Sequence, residues 1–208
     1  MGAWYTEDMI RFTHIGHACF LVENGDKRWV FDPYDAERIG LEMPDISADY
    51  LMVSHEHGDH NYRTAVSGAS EDFDAKVVAS FHDDEGGKLR GENKIFVVEI
   101  DGVRICHLGD LGEILSDGQV AEIGEVDVLL VPVGGFYTID AKGAMEVAEK
   151  IQPKVIVPMH YLVDGLTLDV LTGVDEFLEL AKIEGWKISR CEGNCWEYAP
   201  DATGVVVF

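Results

Sequence analysis

The chain has 208 residues, of which 16 are Lys or Arg and 39 are Asp or Glu, and its formal net charge is −23. Hydrophobic residues make up 47% of the sequence, which supports a sizeable core and excludes a disordered protein. A surface this acidic repels phosphate backbones, so we do not expect a nucleic-acid partner. The length predicts a single domain over residues 1–208.

Membrane and secretion signals are not visible in the pattern. The longest apolar stretch, residues 126–136, is interrupted by Asp127, Pro132 and glycines, so it does not predict a membrane-spanning helix. The sequence opens without a basic n-region or an apolar h-region, and we therefore expect no secretory signal and a cytoplasmic location. We expect no membrane partner, and the oligomeric state stays open. The four cysteines are too few for a disulfide scaffold.

Short apolar runs rich in β-branched residues predict strands along most of the chain. In order, they are residues 10–15, 19–23, 29–31, 50–53, 76–79, 95–100, 103–107, 126–131, 155–158, 186–189 and 204–208. Asp101-Gly102 lies between two such runs and predicts a β-hairpin. Helical patterns are fewer and cover residues 61–67, 140–151 and 168–184, with Asp140 as the expected N-cap of the second. Helices outside two packed sheets fit this order, but the pattern alone leaves other layered arrangements open.

Three of the eight histidines lie in one hexapeptide, residues 55–60, which reads His-Glu-His-Gly-Asp-His. It follows an apolar run and therefore lies just past a strand end, where side chains from a short stretch can converge. His55 and His57 project to the same side of an extended segment, so their imidazoles can bind one metal ion. Asp59 and His60 follow as the chain turns, and they could bind a second ion. Imidazole together with carboxylate suits zinc, iron or manganese.

The pattern His-x-His-x-Asp-His after an apolar strand resembles the signature of the metallo-β-lactamase superfamily. Further segments match this family in chain order: strands at residues 12–22, a strand ending at Asp32, a strand followed by His82, a hairpin ending at Gly109-Asp110, and a late strand ending at His160. The resemblance covers nearly the whole chain. It is nearest to the small branch of ascorbate-6-phosphate lactonase-like and other β-lactamase-like hydrolases.

The resemblance implies an α+β fold, a four-layer αββα sandwich of the metallo-β-lactamase type, with a dinuclear site at one edge. The ligands that it implies are His55, His57 and His82 for a first metal, Asp59, His60 and His160 for a second, and Asp110 as the bridge between them. The implied cofactor is zinc, as two ions, with manganese or iron as alternatives.

Two metal ions that share a water lower its pKa, so a metal-bound hydroxide can attack a carbonyl carbon or a phosphorus. We therefore predict a metal-dependent hydrolase whose partner is a small-molecule substrate: an ester, a lactone or a phosphodiester, with a small anionic ester or lactone favoured. Asp59 is the predicted catalytic residue that orients the hydroxide. His107 is a second catalytic candidate, as a proton donor or as a group that orients a ligand. An equal alternative is a strand histidine bonded to a neighbouring carbonyl.

The sequence also offers further candidate site residues and one alternative function. His17 resembles a histidine that the branch carries near its start, and it is expected to approach the site. Lys88, Arg90 or Lys94 could bind a substrate phosphate, and Phe136 and Tyr137 could wall a pocket. The alternative function is an iron-dependent oxidoreductase of the same superfamily, because metal availability as well as ligand type decides which ion is bound.

Overall fold

The structure, a computed structural model, describes residues 9–208. Residues 1–8 lie outside the described residues. The prediction of no secretory signal, and the first eight residues of the predicted domain, therefore fall outside the described part of the chain. Among residues 9–208, no helix is both long and apolar enough to cross a bilayer. All four cysteines are free thiols.

Two β-sheets pack face to face in the middle of the fold. The strands are β1 (Arg11–Gly16), β2 (Cys19–Asn24), β3 (Lys27–Phe31), β4 (Ile46–Ser47), β5 (Tyr50–Met52), β6 (Val66–Ser67), β7 (Lys76–Phe81), β8 (Glu92–Ile100), β9 (Val103–His107), β10 (Val128–Pro132), β11 (Val155–Met159), β12 (Ile188–Arg190), β13 (Cys195–Glu197) and β14 (Gly204–Val207). The smaller sheet has the order β13-β1-β2-β3-β5 and the larger one β12-β14-β11-β10-β9-β8-β7, while β4 and β6 form a separate pair. The larger sheet is parallel from β9 to β12 and antiparallel at β7, β8 and β9.

Four α-helices complete the layers: α1 (Ala36–Ile39), α2 (Asp117–Ile123), α3 (Ala141–Ile151) and α4 (Asp175–Ile183). Residues of α3 and α4 such as Val147 and Phe177 pack on the outer face of the larger sheet. Alternate residues of the same strands, such as Leu130, face the smaller sheet, where they meet Phe20 and Phe31.

The outer face of the smaller sheet is covered by a thinner layer. Leu21 and Leu51 pack there against Ile39 of α1 and against loop residues such as Leu166 and Leu171. The αββα prediction is therefore confirmed, with a fourth layer made of one short helix and loops.

The predicted hairpin at Asp101-Gly102 joins β8 to β9, with φ of 48° and 76° at the two turn residues. Helix α3 matches its prediction, and the Asp140 side chain accepts hydrogen bonds from the backbone N–H groups of Lys142 and Gly143. Both features follow from local sequence alone.

The other two helix predictions are wrong in extent. Only Asp175–Ile183 of the run 168–184 is helical, because the apolar residues before Gly173 serve the outer core of the smaller sheet instead of a helix face. Residues 61–67 form a 3₁₀ turn, Arg63–Ala65, followed by β6. Helix α2 was not predicted, although Ser116 and Gln119 form a capping box at its start.

Candidate metal centre

Strand directions explain why distant parts of the sequence meet at one edge of the sandwich. β7, β9 and β11 run in the same direction, so their carboxyl ends lie at the same edge of the larger sheet. His82 follows β7, Asp110 follows β9 within three residues, and His160 follows β11 directly. The hexapeptide 55–60 follows β5 of the smaller sheet, and all seven predicted ligand residues lie together there.

The first group of side chains that could hold a metal ion consists of His55, His57 and His82. One ligand atom from each lies within 4.8 Å of the others. The His55 and His57 rings are 4.6 Å apart, and the His55 and His82 rings are 4.8 Å apart. His55 and His82 are buried, whereas His57 is exposed.

The second group consists of Asp59, His60 and His160, as predicted, together with His17. Their ligand atoms also lie within 4.8 Å of one another. The rings of His17 and His160 are 4.0 Å apart, and the backbone N–H of His160 donates to the carbonyl of His17 over 3.1 Å. The turn between β1 and β2 is thereby fixed against the end of β11.

Asp110 lies between the two groups. Its Oδ2 is 3.2 Å from Nε2 of His82 in the first group and 3.2 Å from Nε2 of His160 in the second. Its Oδ1 is 3.0 Å from Nε2 of His60. One buried carboxylate therefore contacts imidazoles from both sets, as a bridging ligand would.

The cluster contains an unusual number of polar atoms without hydrogen-bond partners. In residues 9–208, ten buried side-chain nitrogen and oxygen atoms lack a partner, and one of them is Nε of Arg104. The other nine belong to His17, His55, His60, His82, Asp110 and His160. Leaving so many buried polar groups without hydrogen bonds is costly, and coordination of metal ions would satisfy one nitrogen of each imidazole and the oxygens of Asp110. The donor set of imidazoles and carboxylates fits this explanation.

Asp32 sets the orientation of one imidazole in the second group. This buried carboxylate accepts hydrogen bonds from the Ser54 N–H and the Ser54 hydroxyl, both over 2.7 Å. It also accepts from Nδ1 of His60 over 2.9 Å. Nε2 of His60 is thereby left to face the cluster.

Ser54 extends the same network to the first group. Its Oγ lies 2.9 Å from Nδ1 of His55 and accepts from it, because the hydroxyl proton goes to Asp32. Nε2 of His55 therefore also faces the cluster.

Burial and mutual charge set the protonation states of the cluster. Burial lowers the pKa of His17 and of His55 to about 3, so both imidazoles are neutral and keep a free lone pair. Burial alone would raise the pKa of Asp110, but the neighbouring His160 and His60 hold it well below its usual range. His17, His55 and Asp110 are thus in the protonation states that bind cations.

The field around His60 favours positive charge. Burial lowers the pKa of this imidazole, but the carboxylates of Asp110, Asp59 and Asp32 outweigh burial and raise it well above its ordinary value. Three carboxylates converging on one buried point therefore stabilise a cation there.

Three residues of the site have backbone conformations that side chains rarely adopt. The φ angles of His17, Asp32 and His160 are 54°, 44° and 52°. Such strain persists only where the surrounding structure enforces it, and it clusters at functional sites. Gly134 helps to enforce it, because a Cβ at this position would overlap the carbonyl oxygen of His160.

His107 lies outside both groups of ligand-type residues. Its Nε2 donates to the carbonyl of Ala18 over 2.9 Å, and its Nδ1 accepts from the N–H of Gly109 over 3.1 Å. The ring is fully buried and stacks on Phe31. This is the arrangement of a strand histidine bonded to neighbouring backbone, and a catalytic role for it stays a prediction.

A cavity of about 680 Å³ opens beside the cluster. His57, Asp59 and His82 form its wall on the metal side. Tyr137, Leu168 and Arg90 line it as well, so the prediction of a pocket wall is confirmed for Tyr137. It is wrong for Phe136, which is exposed and does not line this cavity. Small-molecule sites have this size and this mixture of apolar and convergent polar groups.

Sequence reasoning missed four functional candidates: Asp32 and Ser54 as orienting residues, Arg38 as a cavity residue, and His17 as a member of the second group. The positions of His17 and Asp32 at strand ends were a usable signal. Arg38 gave none, since α1 is too short to show a pattern.

Known proteins are similar to this chain in sequence and in fold. A sequence model of the beta-lactamase superfamily domain matches residues 11–160. A metal-dependent hydrolase of Carboxydothermus hydrogenoformans is 31% identical in an alignment of 195 positions, and the match covers 73% of this chain and 84% of the relative. A solved structure from Thermotoga maritima, described as a candidate Zn-dependent hydrolase of the metallo-β-lactamase superfamily, is 40% identical with a TM-score of 0.76, and the match covers 95% of this chain and 97% of that one. Igni18, a metallo hydrolase of Ignicoccus hospitalis, is 19% identical with a TM-score of 0.69 over 92% of this chain and 99% of its own, and shares the fold.

We expect Asp32→Asn to weaken metal binding by about 10- to 100-fold, because the amide cannot accept from His60 as the carboxylate does. Asn tolerates the positive φ of this position, so the fold is retained. Zinc titration against a chromogenic chelator measures the affinity. Asp35→Asn, at the N-cap of α1, is the matched control and should bind zinc like the wild type. Unchanged affinity in Asp32→Asn would show that Asp32 does not orient His60.

Proposed function

The chain belongs to the metallo-β-lactamase superfamily and is a metal-dependent hydrolase, and from this premise we propose that it holds two zinc ions and cleaves a small ester, lactone or phosphodiester. The observation that carries this proposal is the pair of neighbouring ligand groups with the buried carboxylate of Asp110 in contact with both. The proposal includes a small-molecule substrate and no nucleic-acid partner. A cytoplasmic location stays a prediction.

The first group supports an ion that is open to substrate. Three imidazoles, from His55, His57 and His82, would hold it together with Asp110, and His57 is the exposed member of this group. His57 and His82 both line the cavity. We therefore assign the substrate-facing ion to this group.

The second group supports a more enclosed ion. It offers four side chains, and the side chains of His17, His60 and His160 are fully buried while that of Asp59 is 24% exposed. With more ligands and less access to water, this site should hold its ion more tightly than the first. Asp110 would be shared by both ions.

When bound, the two metal ions supply an activated water and a Lewis acid that polarises the substrate oxygen. Asp59 is the carboxylate best placed to act on that water, because it lines the cavity. Burial raises its pKa, but His60 and His17 outweigh this and keep it ionised. It can therefore accept a hydrogen bond from the water and orient it toward the cavity.

For His107 we propose a positioning role in place of the expected catalytic one. Both of its ring nitrogens are engaged by backbone, and His107 is not among the described residues that line the cavity. Its acceptor nitrogen fixes Gly109, the residue before Asp110. It thus holds the backbone from which the bridging carboxylate projects.

Protein purified without chelators should contain about two zinc ions per chain, the number that two-metal hydrolysis requires. His57→Ala and His160→Asn should each lower the count by one, since they affect different groups, and Asn tolerates the positive φ of residue 160. Elemental analysis measures the count. His14→Gln is the control, because His14 belongs to neither group and Gln keeps a donor for the carbonyl of His17.

Two results would contradict this assignment. Iron as the dominant metal would favour the oxidoreductase alternative. A chain that retains no metal and binds no added zinc or manganese would overturn the proposed function.

His17→Asn tests the enlarged second group. Asn accepts the φ of 54° at this position but its side chain is too short to replace the imidazole at the ion. We expect the second ion to bind at least about 10-fold more weakly, in the range found when groups that support a metal site are removed. Cobalt substitution gives the readout, because the visible spectrum of the second ion should change. An unchanged spectrum and affinity would exclude His17 as a ligand.

Asp59→Asn should lower kcat by about 100-fold or more on any substrate found by screening lactones, esters and bis(4-nitrophenyl) phosphate. The amide keeps an oxygen for the metal but is a weaker hydrogen-bond acceptor than the carboxylate. Metal content is measured on the same samples. Full activity with both ions retained would remove Asp59 from the catalytic machinery.

A further inference from the structure

Two arginines, Arg38 and Arg90, line the cavity beside the metal-ligand groups. They come from separate parts of the chain, since Arg38 lies in α1 and Arg90 lies in the loop between β7 and β8. In a protein of net charge −23, two basic residues on the wall of one cavity call for a physical explanation.

Arg38 is packed directly on the metal-binding hexapeptide. A Cβ at Gly58 would lie 2.7 Å from both Cδ and Nε of Arg38, so the glycine leaves the room that this side chain occupies. The backbone carbonyl of Arg38 accepts a hydrogen bond from the Thr167 hydroxyl, which anchors α1. The Arg38 side chain is 70% exposed, and among the described residues the only ion pair of its guanidinium is a long contact of 3.9 Å with Asp35.

Arg90 is held in place by a backbone hydrogen bond and by an aromatic ring. The buried carboxylate of Asp83, the residue after His82, accepts hydrogen bonds from four backbone N–H groups of its loop. The last of these is the N–H of Arg90, at 2.7 Å. The guanidinium lies over the Tyr137 ring, 5.7 Å from its centroid. No ion pair joins Arg90 to a carboxylate within residues 9–208.

The carboxylates of the cavity wall do not neutralise these two arginines. Glu56 is paired with Arg63 at 2.7 Å and accepts from Asn61 at 3.1 Å. Asp59 belongs to the second metal group. The cavity therefore presents two guanidinium groups to a ligand, and each guanidinium can bind a carboxylate or phosphate through two parallel hydrogen bonds.

We propose that Arg38 and Arg90 bind an oxyanion group of the substrate, a carboxylate or a phosphate, while the scissile bond lies at His57, Asp59 and His82. This proposal rests on the proposed function, because it names the substrate class of the same site. Leu168, Ile39 and Tyr137 line the cavity between polar groups and suit a short carbon skeleton. The substrate is thus a small anionic molecule with two recognised ends.

Matched ligands test this on the zinc-loaded protein. Acetate can contact the metal ions only, whereas succinate and phosphonoacetate can contact the metal ions and the arginines at once. By calorimetry, at least one of the two-ended ligands should bind more tightly than acetate to the wild type. A preference for succinate would indicate a carboxylate as the second group, and a preference for phosphonoacetate would indicate a phosphate.

Arg38→Gln and Arg90→Gln should each weaken the preferred two-ended ligand by about 10- to 100-fold, in line with the strength of charge-assisted hydrogen bonds, and leave acetate unchanged. Arg38→Lys and Arg90→Lys should bind this ligand more tightly than the corresponding Gln variants and more weakly than the wild type. Tyr137→Leu should weaken it as well, since Arg90 loses the ring that orients it. Arg11→Gln is the control, because it removes the same charge from an ion pair with Glu197 outside the cavity.

Two outcomes overturn the inference while the proposed function stands. One is a wild type with two zinc ions that binds neither two-ended ligand more tightly than acetate. The other is a double variant, Arg38→Gln with Arg90→Gln, that binds them like the wild type. Failure of the proposed function is recognised separately, since the zinc count itself would then be missing.

Discussion

The buried carboxylate of Asp32 is the contact on which the rest of the site depends. It follows β3, receives both donors of Ser54 at the end of β5, and holds Nδ1 of His60. Through the Ser54 hydroxyl it also determines which nitrogen of His55 faces the cluster. One imidazole in each metal group is therefore oriented by a single anion. Burying an anion is costly unless it is fully paired, and here every pair that it makes serves the geometry of the site.

The side-chain arrangement that favours cation binding lowers the stability of the fold when no metal is bound. Unpaired imidazole nitrogens, the unpaired oxygens of Asp110 and positive φ angles at His17 and His160 all lower the stability of the chain without metal. The apolar layers compensate for this, since β9 and β11, which lead to Asp110 and His160, contribute buried residues to both faces of the larger sheet. Because metal ions bind the folded arrangement and not the unfolded chain, their binding free energy adds to the stability of the fold. Metal binding and folding are therefore coupled in this protein.

The sequence predicted what depends on local pattern. The hexapeptide 55–60, the hairpin at Asp101-Gly102 and the cap of α3 at Asp140 need only neighbouring residues, and they are placed as expected. The sandwich and the grouping of the ligands came from a family resemblance. His17 could be placed near the site but not in a ligand group, because its position depends on a long-range bond to the backbone of residue 160. The run 168–184 misled for a similar reason, since its first apolar residues pack on the smaller sheet and not along a helix.

Charge acts on two length scales in this molecule, and the shorter one decides what the cavity binds. The net charge of −23 is spread over the whole surface and repels anions at a distance. At physiological ionic strength this repulsion is screened beyond about 8 Å, so it slows the approach of an anionic ligand more than it weakens the bound state. Arg38, Arg90, His57, Asp59 and His82 line one cavity, so a ligand bound there meets these side chains at short range. An acidic protein can therefore bind an anion where cationic side chains line a cavity, and the contacts of Arg38 with Gly58 and of Arg90 with Tyr137 place two of them there.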